Sequence, residues 1–447
     1  MISSLCSVSI FASFMNTTAM AFPASPGSSI SHQGGAKRLL LFFLADGMIS
    51  LSGRKEMFIK RLIGLFILIS FCAAGFTQEE TDQTLRLEIG DPLYKSKTLN
   101  IEAGKIFSAE KGKAIAFKEM IDAMKKARFI YVGETHDSLP MHEIQFKIAK
   151  ALYMQNRNLS IGLEMFDVNW QEKLNQWSMG IMTEDEFIDL AKWYENWNFN
   201  FDYYRKIFEL AKEHKIPMYA LNSPREIIRK IRMRGWESLS EEEKNIVPEP
   251  GLSNEDHRFF MKKIFSEVNM PEAMKGHEQM MFEGLYRAQS AWDEVMAKNT
   301  LKAADVEGSR VIVFAGSGHL LYNLGISRRV FEKRAFPFKT VICITVPEGK
   351  ESIEVSRSIA DFVWGIPFEK RPVYPSPGIA LKKVEGLDNP IIESDPVSGA
   401  ARGQNFKKGD IILSVDGKEY VSINDLRKYL SRFGWGDEVC FRMLREA

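Results

Sequence analysis

The sequence predicts an α/β protein, built as a helix-covered and mostly parallel sheet, followed by a small α+β domain. Three observations carry that expectation. Short apolar runs rich in β-branched residues alternate with helical periodicity from residue 114 to residue 346, as in a parallel sheet with crossover helices. Three of those runs end on ionisable side chains: Phe129-Ile-Tyr-Val-Gly-Glu134-Thr-His136-Asp137, Leu159-Ser-Ile-Gly-Leu-Glu164, and Arg310-Val-Ile-Val-Phe-Ala-Gly-Ser-Gly318-His319. The carboxyl ends of buried parallel strands are where α/β proteins form ligand sites. Beyond residue 375 the texture changes to short strands, tight glycine turns and one helix.

Taken in order, residues 76–113 read as an extended arm or small hairpin. A helix is expected over 114–127, with Ile115, Phe117, Met120, Ile121 and Met124 on one side. Strand 129–133, a helix over 141–155 and strand 159–163 follow. A long helical stretch over 169–213 holds the aromatic cluster Trp193-Tyr-Glu-Asn-Trp197-Asn-Phe-Asn-Phe201. Strand 217–221 enters a helix at Pro224, and a helical segment over 254–304 leads into strand 310–315. Strand 339–346 ends the region. Residues 347–375, with Pro347, Pro367, Pro372 and Pro375, read as a linker. Residues 376–447 then form the second domain. It has a strand opening at Gly378, a short helix over 396–403, a strand and turn over 406–417, a helix over 422–433 and a closing strand over 438–445.

At 447 residues the chain is long enough for a sizeable core and more than one domain. Its 59 Lys and Arg balance 58 Asp and Glu, so charge gives no indication of a nucleic-acid partner. No cysteine spacing suggests structural zinc. Met57-Phe-Ile-Lys60-Arg61, then Leu62 to Phe71 and the small residues Cys72-Ala-Ala-Gly75, have the form of a signal peptide. Residues 1–56 are then a mis-called or disordered extension, with 57–75 the export signal. A true leader preceding a membrane anchor is the rival reading. Ile69-Ser-Phe-Cys72 resembles a lipobox, which would make a lipid-anchored bacterial lipoprotein; cleavage after Ala73-Ala-Gly75 would free the chain in the periplasm. Cys343 and Cys440 fall in different domains, so no structural disulfide is expected.

The strand ends bring Glu134, His136, Glu164 and His319 to one edge of the sheet. Two carboxylates with two imidazoles make a competent divalent-metal set, or an acid/base pair for a hydrolase. Asp137, Asn222, Arg225, Gln289 and Asp293 are expected to line the pocket around them. The last two interrupt an otherwise apolar stripe of His277, Met281, Leu285, Trp292 and Met296 on one helix face. Polar groups on a buried stripe need partners or a cavity.

Five motifs stand in order: Gly-Glu134-Thr-His136-Asp, Gly-Leu-Glu164-Met-Phe, Ala-Leu-Asn222-Ser-Pro-Arg225-Glu, Gln289-Ser-Ala-Trp-Asp293-Glu-Val-Met-Ala and Gly-Ser-Gly-His319. Together they resemble the ChaN-type haem-binding uptake family of the Tiki superfamily, over about residues 98–346. The resemblance implies haem as cofactor and a role in haem or iron uptake in the bacterial cell envelope. Some relatives in that superfamily hydrolyse their substrates, and the divalent metal belongs to that alternative. No motif carries a haem ligand to a numbered position. On residue type the candidates are Tyr194, Tyr203, Tyr204, His257, His277 and Tyr322. The aromatic stretch 193–204 reads either as core or as a porphyrin-stacking surface.

Residues 376–447 resemble a PDZ domain of the permuted bacterial kind. Pro377-Gly378-Ile379-Ala380 matches the carboxylate-binding loop, with Ala380 where a second glycine is usual. The resemblance implies a peptide or protein C-terminus held by backbone N–H groups at Gly378, Ile379 and Ala380, adding a strand to the sheet. The expected partners are therefore haem or iron and a peptide. A homodimer around the ligand is left open.

Overall fold

The computed structural model describes residues 83–266, 276–305 and 308–445. The expectations for the extension 1–56, the signal 57–75 and the cleavage sites lie outside those residues. The first strands are β1 (Thr98–Glu102), β2 (Ile106–Ser108), β3 (Lys113–Ile115), β4 (Phe129–Glu134) and β5 (Leu159–Asp167). They are followed by β6 (Met218–Asn222), β7 (Arg310–Gly316), β8 (Phe338–Val346), β9 (Ser352–Ser356) and β10 (Phe362–Pro367). Eight of these form one sheet in the order β3-β2-β10-β8-β4-β7-β5-β6. From β10 to β6 every pairing is parallel, while β2 runs antiparallel to β10 and β3. β1 and β9 pair separately and antiparallel.

All of β4 and β7 is buried, as central strands covered on both faces require. Alternation along β4 feeds two cores. Phe129 and Tyr131 join Val313, Ile342, Ala291 and Val295 beneath the long helix Glu278–Ala303. Ile130 and Val132 join Phe314, Val341, Ile148 and Phe208 beneath the helices Leu139–Gln155 and Arg205–His214. Parallel register sets Glu134 opposite Gly316, so the ends of β4 and β7 lie side by side.

The local readings differ in three places. Residues 113–115 extend the sheet as β3, and the helix runs only from Phe117 to Ala123. The free edge of β2 captures them, with Ala116 extended at φ −77° between strand and helix. The stretch 169–213 is four short helices, because Gly180 and Lys192 take positive φ and Thr183 caps a new start with Glu186. Of the expected helical segment 254–304 the described residues contain the helices Glu255–Ser266 and Glu278–Ala303. Residues 347–375 contribute β9 and β10, and Pro367 is the last residue of β10. The proline pattern therefore marks where the sheet ends, not where a linker begins.

The second domain is a four-stranded antiparallel sheet of β11 (Leu381–Val384), β12 (Leu387–Ile392), β13 (Ile411–Val415) and β14 (Phe441–Leu444), in that order. Helix Ile423–Leu430 packs on it, capped by the Ser422 hydroxyl. Residues 396–403 form turns, with Gly399 and Gly403 at positive φ, in place of the expected helix. Among the described residues no helix is long and apolar enough to cross a membrane.

Candidate functional site

Glu134 is the hub of the sheet edge. It is 2% exposed, and four side chains surround its carboxylate. Oε1 accepts from the Tyr204 hydroxyl at 2.8 Å and lies 2.8 Å from His136 Nδ1. Oε2 accepts from Gln145 Nε2 at 2.7 Å, with His142 Nδ1 at 3.5 Å. Burial alone would raise this carboxyl, yet His142, His136 and Tyr204 bring it down to about 2. It is therefore an anion that fixes its neighbours. The Tyr204 phenol, pushed well above its usual value by burial and by Glu134, remains a donor.

His136 meets the edge of Trp197 at 4.7 Å and Phe199 at 5.1 Å between ring centres. Its far side touches β7. A Cβ on Gly316 would stand 3.1 Å from His136 Cε1, 3.3 Å from Nε2 and 3.5 Å from Glu164 Oε2. A side chain at Gly316 would therefore crowd the His136 ring while meeting Glu164 at ordinary contact distance.

Around Glu164 the chemistry differs. Oε2 accepts the Gly316 N–H at 2.5 Å, and Oε1 lies 3.5 Å from His319 Nε2. His319 Nδ1 is 2.6 Å from Asp293 Oδ1, and the Gln289 amide lies 2.8 Å from the same nitrogen. Burial would lower the His319 pKa, but Glu164 and Asp293 raise it to about 10, so the ring is a cation. Asp293 is fully buried, its Oδ2 at 3.4 Å from Arg329 Nη1 and 3.5 Å from His257 Nε2. His257 is pushed down to about 4 by burial and is neutral.

The structure thus brings Glu134, His136, Glu164, Gln289, Asp293 and His319 together around Gly316. Asn222 sits one step back, donating from Nδ2 to the Glu164 carbonyl at 3.0 Å. Arg225 is exposed and donates to the Asn196 carbonyl, and Asp137 is half-buried on the loop beyond β4. Sequence reasoning passed over His142, Gln145 and Arg329. The first two could have been found by the argument that picked out Gln289 and Asp293, since both are polar residues on a buried helix face.

These groups do not fit a divalent metal. Both His319 nitrogens face carboxylates, and both Glu134 oxygens already face donors or imidazoles. Among the described residues no group of three or more His, Cys, Asp or Glu is arranged to hold an ion. The haem-ligand candidates also separate. Tyr204 is spent on Glu134, Tyr322 donates to the Thr84 carbonyl at 2.7 Å, and Tyr194 and Tyr203 are buried and accept backbone N–H groups. His257 is enclosed, whereas His277, at the start of the long helix, is exposed. Trp193, Tyr194, Trp197 and Phe201 pack into the core with Phe187 and Phe208, and so offer no open stacking surface.

In the second domain Gly378 is at φ 71°, where a Cβ would meet the Ser398 carbonyl oxygen at 1.9 Å. Gly399 packs against it, backbone to backbone. Ile379 is buried, and the Ala380 carbonyl accepts from the Glu393 N–H at 2.8 Å. β11 pairs within its sheet only with β12, which leaves its other edge unpaired there.

Residues 120–330 match the family model described as haem-binding uptake, Tiki superfamily, ChaN, and residues 377–447 match that of the PDZ domain. The chain joins a ChaN-type domain to a PDZ domain. Protein RETICULATA-RELATED 5, chloroplastic, from Arabidopsis thaliana is 23% identical over 266 residues, covering 55% of this chain. The chain spans only 35% of that relative's length. Among solved structures, ChaN of Campylobacter jejuni, described with cofacial haem, is 20% identical with a TM-score of 0.46, over 60% of this chain and 96% of that one. A mutant of the erythromycin esterase EreC is 9% identical with a TM-score of 0.33, over 59% and 83%.

Proposed function

We propose that this protein binds haem for haem or iron uptake and uses its PDZ domain to engage a peptide C-terminus. The match of residues 120–330 to the haem-binding uptake family carries this reading. Exposure points to His277 as the axial ligand, because the other five candidates are buried among protein partners. Haem would supply its iron as the cargo or redox centre, and the chain's part is to hold it at the surface. In the PDZ domain, backbone N–H groups at Gly378, Ile379 and Ala380 would take the carboxylate, and the peptide would pair along β11. The Met57–Gly75 pattern favours export to the periplasm or a lipid anchor there. The chloroplastic relative favours an organelle instead, and fractionation of the full chain separates the two.

The test is a haemin titration of the full chain, followed by visible absorbance, beside His277→Ala. A saturable Soret shift that weakens in the variant supports the reading. A shift untouched by His277→Ala removes His277 as ligand, and no saturable shift at all removes the haem reading.

One observation favours acid/base hydrolysis as a second reading. Anionic Glu134 holds His136 by Nδ1, the pairing that orients an imidazole as a general base. His136 would take a proton from water, and cationic His319 would stabilise the developing negative charge. Replacing both histidines then abolishes hydrolysis and leaves haem binding at His277 intact.

A further inference from the structure

The groups that could do chemistry are nearly sealed. Side-chain exposure is 1% for Glu134, 14% for His136, 9% for Glu164 and 12% for His319. Part of the seal over His136 is the segment 194–200, which carries Trp197 and Phe199 against the imidazole. With so little of His136 exposed, the position of this cover sets how readily a reagent reaches it.

That cover is tied down at both ends by the PDZ domain. At its start, the Tyr194 N–H donates to Asn424 Oδ1 at 3.0 Å, and Arg427 Nη1 donates to the Tyr194 carbonyl at 2.9 Å. At its end, Asn200 Nδ2 donates to the Ser431 carbonyl at 3.0 Å. Asn424, Arg427 and Ser431 recur at i, i+3 and i+7, so one face of the helix Ile423–Leu430 and its C-cap makes all three contacts. Lys428, on the same face, reaches the exposed Asp185 at 3.1 Å and Asp189 at 2.8 Å on the helix before the cover. The cover reports inward as well, because Trp197 Nε1 donates to the Tyr204 hydroxyl that holds Glu134.

We infer that residues 194–200 are a lid over the Glu134–His136 pair and that the PDZ helix is its clasp. The regulation rests on the sheet edge being a working site. The helix lies beside β11, so the clasp borders the groove in which a PDZ peptide would seat. Releasing the helix removes the PDZ ties at both ends of the lid together and leaves the Arg225 bond to the Asn196 carbonyl in its middle.

The test is the rate at which diethylpyrocarbonate modifies each histidine of the full chain, resolved by peptide mass spectrometry. Exposed His277 is the internal standard, and fully buried His257 reports general loosening. The variants are Asn424→Ala with Arg427→Ala, and separately Asn200→Ala, which removes only one tie. His136 modification is expected to rise by about tenfold in the double variant, the effect of one to two net hydrogen bonds on an opening equilibrium. Asn200→Ala should give a smaller rise, with His277 and His257 unchanged in both. An unchanged His136 rate in both variants overturns the clasp, as does a rise in His136 matched by His257. The readout needs neither haem nor a substrate, so its failure and the failure of the haem reading are separate results.

Discussion

Two glutamate–histidine pairs meet at Gly316, and the same residue types have been given different work. Glu134 is surrounded by donors, the Tyr204 hydroxyl and the Gln145 amide, and shares the rest of its charge with His136 and His142. His319 is instead held between two carboxylates, Glu164 and Asp293, and the second of these also faces Arg329. One arrangement centres on an anion, the other on a cation. What a histidine does here is set by how many carboxylates reach it, which residue identity alone does not show.

The largest expected difference between the halves is in stability. Asp293→Asn removes the carboxylate that faces both the His319 cation and Arg329 in a fully buried place. Each cation keeps one other carboxylate, Glu164 for His319 and Glu294 for Arg329, so the cost lies at the lower end of the about 3–5 kcal/mol of a broken buried pair. Glu134→Gln removes the acceptor of the Tyr204 hydroxyl and the Gln145 amide, so its cost is about 1–3 kcal/mol, that of unsatisfied hydrogen bonds. Urea unfolding of the two variants decides the point. An Asp293→Asn loss no larger than that of Glu134→Gln would mean that the cationic half is not the stiffer one.

How far this contrast could be read beforehand depends on where the residues sit. Glu134, His136, Glu164 and His319 announced themselves, since each follows an apolar run that the pleat of a buried strand explains. Gln289 and Asp293 showed as breaks in a helical stripe. His142 and Gln145 lie on a helix whose other buried positions are apolar, and their role appears only when register sets that helix over the end of β4. β9 and β10 were read as linker because β10 ends in proline and is followed by more. Their pairing with β1, β2 and β8 is long-range, with no local pattern to mark it. The clasp is also invisible locally, because Asn424 and Arg427 read as ordinary polar positions of a surface helix until the domains are docked.

A second, intermediate effect separates the halves by pH. The folded pKa of His319, about 10, lies above its ordinary value of 6.5. Its contribution is therefore complete below pH 6.5 and is lost as pH rises through about 10. For Glu134 the folded value, about 2, lies below the ordinary 4.5, so its contribution is present above pH 4.5 and fades as pH falls towards 2. The stability gap between the native chain and His319→Gln should shrink on the alkaline side. The gap to Glu134→Gln should shrink on the acid side. Unfolding midpoints across pH would break the contrast if both gaps closed at the same end.

The smallest effect tests the point where the halves touch. Gly316 has φ −54° and ψ 138°, a conformation open to any residue, so backbone strain does not reserve the position for glycine. Alanine there would shrink the unfolded ensemble and stabilise by about 0.4–1 kcal/mol. The added methyl would also stand 3.1 Å from His136 Cε1, tighter than a relaxed contact, and crowding of this kind costs about 1–3 kcal/mol. The two terms oppose each other, so Gly316→Ala should leave stability unchanged or lower it by at most about 2–3 kcal/mol. The imidazole has to give way against Trp197 and Phe199, which pack on it, so the His136 ring resonances should shift under altered ring currents while those of His319 stay nearly fixed. Equal shifts at both histidines would show that Gly316 couples the two pairs; a shift confined to His136 would show that they share a wall but keep separate charges.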